Sequence, residues 1–278
     1  MDKHLVKLYF VILVFLVLAI LLTPVILDRT SALVAEAATA AKLAAYKAGE
    51  TESIAPAEEK GSVAIIMDDG FETQYTSGYK VLKRSGLKGA IAVIPAAVGE
   101  VGYMNYRQLA ELYMDGWDML NHTYNHMGLT ELSKEEQALQ ILRGRDWLRS
   151  RQLLRGSDIL VYPGGNHNEL TKEALKETGT AAARSLKSVW VRELDCTPED
   201  VEVCNIISGM PVKDIKAAID KAANNKSAVL LVLHKIEPVK DDSKMQIEES
   251  TLQSIVDYIA DNGSLNVVTL SELLQMQQ

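Results

Sequence analysis

From Gly61 onward, short β-branched apolar runs alternate with longer amphipathic stretches, and no other feature limits the possible folds as much. Runs such as Val63–Met67 and Ala228–Leu233 are short, continuous and apolar. The pattern predicts strands at Val63–Met67, Ala90–Ile94, Trp117–Leu120, Ile159–Tyr162, Ala181–Arg184, Val203–Ile207, Ala228–Leu233 and Leu265–Val268. It predicts helices at Ser77–Arg84, Tyr106–Met114, Lys134–Arg151, Asn168–Glu177, Val212–Asn224 and Gln246–Asp261. Ser133, with Glu136 three residues on, has the spacing of a capping box for the helix that begins at Lys134. Such alternation implies an α/β fold of parallel strands with crossover helices. About seven or eight such units favour a barrel over an open sheet, and barrel chemistry sits where strands end and loops begin.

Ahead of this domain, Leu8–Leu27 is uncharged and long enough to span a bilayer as a helix. Lys3 and Lys7 flank its N-terminal side, so the N-terminus is expected in the cytoplasm and the remainder outside the cell. The run is longer than the apolar core of a signal peptide, and small-residue sites such as Ala35-Glu36-Ala37 lie well beyond it, which favours a retained anchor over a cleaved leader. Residues 1–28 are therefore read as a membrane anchor, 29–60 as a stalk and linker, and 61–278 as the catalytic domain, held at the cell surface. The net charge of −8, from 29 Lys and Arg against 37 Asp and Glu, argues against nucleic acid as a partner. In an oxidising compartment Cys196 and Cys204 are placed either to bridge a short loop or to remain free thiols.

Chemistry-bearing residues fall at the predicted strand ends. The first strand ends in Met67-Asp68-Asp69-Gly70, the third in Asn121-His122-Thr123-Tyr124-Asn125-His126, the fourth in Tyr162-Pro163-Gly164-Gly165, and a late one at His234. His122 and His126, four apart, would share a face of one helical turn and can grip one ion. Two imidazoles and one carboxylate leave positions open for water, as a catalytic metal requires. Asp68 and Asp69 diverge on an extended backbone, so one can bind metal while the other stays free as a base. The blander readings are a turn at Asp-Asp-Gly and a buried, hydrogen-bonded His234.

These motifs, in this order, resemble the polysaccharide deacetylase family, the carbohydrate esterases built on the NodB-homology domain. The family's first motif is similar to Met67-Asp68-Asp69-Gly70, its H-[ST]-x-x-H matches His122 to His126, and its apolar strand ending in His is similar to Leu231-Val232-Leu233-His234. The resemblance covers roughly Gly61 to Leu274 and implies a distorted (β/α) barrel of about seven units. It also implies a divalent metal ion, expected to be zinc, held by Asp69, His122 and His126. By the same resemblance Asp68 is the general base, His234 the general acid, and the Gly164 N–H an oxyanion donor. The implied reaction is hydrolysis of N-acetyl amide bonds on an extracellular glycan, with metal-bound water as the nucleophile.

Two departures stand out. The family's R-x-P-Y motif appears as Val161-Tyr162-Pro163-Gly164, so the arginine that contacts the catalytic aspartate is missing, and either something else orients Asp68 or activity is weaker. The D-x-x-D-W motif is absent as such, although Trp190 and Asp195 lie in the corresponding part of the chain. Tyr124, Tyr162 and Trp190 offer apolar ring faces on which a sugar can stack, with core packing as the alternative for Trp190. Other readings keep the fold but change the role, to deacylation of a lipid-linked sugar or small amide, or to an anchored glycan-binding module without turnover.

Overall fold

The computed structural model of the chain describes residues 60–191, 201–237 and 244–276, with backbone only at Trp190 and Val191. The membrane anchor and stalk expected at 1–60 lie outside the described residues up to position 59, as do Asp195 and Cys196. Cys204 is a free thiol among the described residues. Among the described residues no helix is long and apolar enough to cross a membrane.

The strands are β1 (Gly61–Met67), β2 (Ala90–Val93), β3 (Asp118–Asn121), β4 (Ile159–Val161), β5 (Ala182–Arg184), β6 (Val189–Val191), β7 (Val201–Asn205), β8 (Ala228–Leu233), β9 (Lys235–Glu237), β10 (Gln246–Glu248) and β11 (Leu265–Val267). A nine-stranded sheet runs in the order β6-β5-β4-β3-β2-β1-β8-β7, with β11 also pairing to β1. Only the β5–β6 pair is antiparallel. Because β8 occupies one edge of β1, β11 and β2 share the other, β11 beside Gly61–Val63 and β2 beside Ile66–Met67. The sheet curls into a half-barrel flanked by helices, in keeping with the distorted barrel expected.

The helices are α1 (Lys80–Arg84), which continues a π-helical turn at Gln74–Tyr79, then α2 (Tyr106–Met114), α3 (Lys134–Ser150), α4 (Glu169–Thr178), α5 (Val212–Asn225), α6 (Glu249–Ala260) and α7 (Leu270–Met276). The Ser133–Glu136 capping box forms as its spacing predicts, and α2 and α4 start with similar boxes at Asn105 and Asn168. One expected element is corrected. The helix predicted over Gln246–Asp261 begins only at Glu249, because Gln246–Glu248 pairs with β9 as a short strand.

Strand parity divides the core in two. Even-numbered residues of β1, Ala64 and Ile66, pack with Ala90, Ala92, Ala182, Ala228 and Leu230 inside the barrel. Odd-numbered residues, Val63, Ile65 and Met67, pack outward with Leu82, Leu109, Leu112, Ile215 and Val256 of the surrounding helices. Alanines on the inner face let the strands curl around a narrow interior. Leu270, Leu273 and Leu274 of α7 fill one end of it. Asp118, the first residue of β3, accepts from both the backbone N and the Oγ of Ser271 at 2.8 Å, which fixes α7 at the N-terminal end of the strands. The opposite, C-terminal end is left for the site.

Candidate active site

Parity carries the interior face past the strand ends. Asp68 continues the series Ala64, Ile66; His122 follows Asp118 and Leu120; His234 follows Leu230 and Val232; Arg184 follows Ala182. All four side chains therefore point into the mouth of the barrel, and all four are buried. The ladder bonds run on to this level, with Asp68 N donating to Leu233 O at 2.8 Å and His122 N to Val93 O at 3.0 Å.

Asp69 and His126 reach the same place by leaving regular backbone. Asp69 has φ +78°, Thr123 φ +60° and His126 φ +61°, left-handed values that few non-glycine residues adopt. Such strain persists where surrounding structure over-determines it, and it clusters at functional sites. The spacing of His122 and His126 suggested a shared helical face. That expectation is corrected: the two rings meet through a tight turn, with centroids 4.6 Å apart and planes nearly perpendicular. Asn121 braces the turn. Its Oδ1 accepts from Thr123 N at 3.1 Å and its Nδ2 donates to Ile141 O of α3 at 2.9 Å.

Asp69 Oδ1 lies 3.4 Å from His122 Nε2 and 3.4 Å from His126 Nε2. The three ligand atoms all fall within 4.8 Å of one another, the only such grouping of His, Cys, Asp and Glu among the described residues. Ligands at about 2.0–2.1 Å from a tetrahedral zinc are separated by roughly 3.3–3.4 Å along each edge, so the spacing suits one cation. His122 Nδ1 sits 2.8 Å from Val161 O. A carbonyl can only accept, so Nδ1 carries the hydrogen and Nε2 keeps its lone pair, the orientation that a metal-ligating imidazole needs. Burial pushes the Asp69 carboxyl up, but when the imidazoles beside it are protonated, a His122 hydrogen bond and the charges of His122, His234 and His126 outweigh it and hold Asp69 below its ordinary value. Burial pulls the His126 imidazole down, and His122 adds to this. Both directions favour the forms that bind a cation.

Asp68 lies behind this group. Arg184 Nη2 pairs with its Oδ1, and His234 Nε2 stands 3.8 Å from its Oδ2. Gln74 Nε2, on the π-helical turn, donates to the backbone carbonyls of Asp68 and of His234, the latter at 3.0 Å. Burial lowers the His234 imidazole, against the pull of Asp68 and Asp69. Its Nδ1 is buried with no hydrogen-bond partner among the described residues. Gly164 is exposed in a 3-10 turn, Pro163–Gly165, at the end of β4, with φ +61°.

Residues 55–183 match the sequence profile of the polysaccharide deacetylase family. Over those residues the chain is similar to that family. A Bacillus subtilis (strain 168) protein named for these deacetylases, YxkH, is 30% identical over 129 residues. That match covers 46% of this chain and 45% of the relative, so the chain spans about half the length of its curated relative. A structure assigned to the polysaccharide deacetylases from Mycobacterium smegmatis superposes with a TM-score of 0.58 at 13% identity, covering 80% of this chain and 92% of that one. A family 4 acetyl xylan esterase from Clostridium thermocellum, solved with a cobalt ion, gives 0.51 at 16% identity, covering 77% and 91%. At these identities the two structures speak for the fold alone.

The five residues singled out at strand ends, Asp68, Asp69, His122, His126 and His234, converge at one mouth. The aromatic residues proposed as sugar platforms fare differently. Tyr162 is 3% exposed and packs outward with Leu160, Ala174 and Leu175, its ring covered by the His167 imidazole at 4.7 Å. This corrects its expected role: parity sends position 162 away from the barrel mouth, and His167 is what solvent meets there. Tyr124 is half-buried, with Arg143 over one ring face at 3.9 Å, so at most one face is open to a ligand. The Trp190 side chain lies outside the described residues. Two residues that the sequence did not single out belong to the site. Arg184 was legible as a lone charge closing the run Ala181-Ala182-Ala183. Gln74 had no signal, since it acts on backbone carbonyls.

Proposed function

We propose that this domain is a metal-dependent hydrolase that removes acetyl groups from the N-acetylated sugars of an exported glycan. One observation carries the reading: Asp69 Oδ1 stands at 3.4 Å from both His122 Nε2 and His126 Nε2, with Asp68 Oδ2 and His234 Nε2 facing each other at 3.8 Å beside them. A divalent cation, with zinc the first candidate, fits the donor set of two imidazoles and one carboxylate, and when bound it supplies Lewis acidity to an amide carbonyl and to water. The cobalt ion in the acetyl xylan esterase of similar fold supports a divalent cation here.

The chain's own groups then divide the proton work. Asp68 Oδ1 is tied to Arg184, which leaves Oδ2 to take the proton of the attacking water. His234 Nε2 faces that same oxygen, so a proton can pass along this edge of the site to the departing amine nitrogen. The Gly164 N–H, at an exposed turn, is the donor assigned to the developing oxyanion. The apolar run Leu8–Leu27 supports placing the domain at the outer face of a membrane, where a cell-wall or capsular glycan is within reach.

The test offers the purified domain three acetylated substrates: N-acetylglucosamine oligomers, O-acetylated xylan and a small N-acetyl amide, with released acetate and free amine measured. The reading expects acetate and a primary amine from the oligomer. Release from the xylan alone, or from the small amide alone, contradicts it.

A further inference from the structure

We infer that Arg184 of β5 is the positioning residue for Asp68, in place of the arginine missing at position 161 of β4; the inference rests on the proposed function. Val161 and Arg184 are Cα partners on adjacent parallel strands. Paired positions on neighbouring strands stand about 4.8 Å apart and project to the same face. Val161 packs inside the barrel with Ala64, Ile66 and Ala182, and Arg184 enters the same interior from one strand further along. From its place beside Val161 the Arg184 guanidinium reaches Asp68 at the end of β1, so the tether stands one strand along from position 161 and still within the site.

The surroundings of Arg184 argue that geometry is what it supplies. Its side chain is fully buried. It pairs with Asp68 Oδ1, its Nη1 donates to Ser185 O at 3.4 Å, and its Nε is buried with no partner among the described residues. A buried ion pair with an unmet donor is a poor stabiliser, and apolar residues filling the same volume often match or exceed it. What the pair does provide is a fixed carboxylate. With Oδ1 pinned, Asp68 cannot rotate, and Oδ2 stays turned to His234 and the metal ligands. The β4 position is not idle either: the Val161 carbonyl orients His122. Each strand of the pair thus orients one member of the site, β4 a metal ligand and β5 the base.

The experiment compares wild type, Arg184→Met, and Arg184→Met combined with Val161→Arg. It reads zinc stoichiometry, thermal melting, and kcat and KM for acetate release from N-acetylglucosamine oligomers. Arg184→Met is expected to bind one zinc per chain while kcat falls about 100-fold, as misplacement of a reacting group by about 1 Å does. KM should stay within about threefold, and the arginine restored at 161 should recover at least about tenfold in kcat. Wild-type turnover in Arg184→Met overturns the inference. So does a joint fall of kcat, KM and zinc binding that Val161→Arg fails to reverse, which would mark a purely structural role. If Arg184→Met does not fold, the double variant decides: recovery of cooperative melting supports the tether, and continued failure rejects it. If wild type releases no acetate, the proposed function fails by itself, and melting of the same variants still scores the placement of the arginine.

Discussion

Substituting Gln74 by Met tests whether the site depends on a clamp between two strand ends. Gln74 is fully buried, and its amide nitrogen holds the carbonyl oxygens of Asp68 and His234, the first residues beyond β1 and β8. Methionine has similar volume and flexibility, so no large cavity forms. Two carbonyls lose a partner in a dry interior, at about 1–3 kcal/mol each. Against this, Gln74 Oε1 is already buried without a partner among the described residues, and its burial penalty of about 1–3 kcal/mol disappears with the side chain. The difference leaves a destabilisation of about 1–3 kcal/mol, or about 2–12 °C in Tm for a domain of this size. The effect on turnover should be larger than the effect on stability. Freed from the clamp, Asp68 and His234 need drift only about 1 Å apart for kcat to fall about 10–100-fold. Scanning calorimetry and acetate release, both well below the melting temperature, read the two effects separately. The reasoning is refuted if Gln74→Met melts within about 1 °C of wild type and keeps its kcat.

Asp68→Asn should retain zinc at one per chain, measured by elemental analysis, and lose about 10²–10⁴-fold in kcat as a general base does. His126→Ala should weaken zinc binding beyond the roughly 10–100-fold typical of outer-shell changes, read by competition with a chromophoric chelator. Gly144→Ala puts a methyl 2.2 Å from Asn121 Oδ1 and 3.0 Å from the Thr123 backbone, so α3 must shift away from the imidazole turn. That variant is expected to lose about 1–3 kcal/mol in urea unfolding and to bind zinc more weakly than wild type. The metal-free domain should lose stability as pH falls below about 6.5, the ordinary imidazole value, because His126 and His234 are both lowered in the folded state and the unfolded chain then binds more protons. Unfolding midpoints that stay flat, or rise, between pH 7 and 5 would exclude this.

Much of the site was readable because strand parity and strand ends are written in the residues. Asp68, His122 and His234 each follow an apolar run at even spacing, and the barrel rule says where such residues point. Asp69 and His126 were readable as chemistry but not as geometry. Both reach the metal group through positive φ, and Asp and His carry no local mark that forces it. The same blindness turned His122 and His126 into a helical pair, since a four-residue spacing fits a helix and a tight turn equally well. Tyr162 was misread for want of one step of parity: it follows Val161, which points inward, so its own ring must point out. The β10 strand was absorbed into a helix because it is three residues long and exists only through its pairing with β9. Arg184 closes a run of alanines, which by propensity favour helix; only the register with β4 shows which carboxylate it meets.

The central claim is that one cation at Asp69, His122 and His126 serves the chemistry that Asp68 and His234 flank. The most direct measurement titrates zinc into the metal-free domain and follows bound metal and acetate release in the same samples. The account predicts that turnover rises in step with occupancy and stops at one zinc per chain. Full turnover in the chelated protein, or saturation with zinc without any release of acetate, would contradict it.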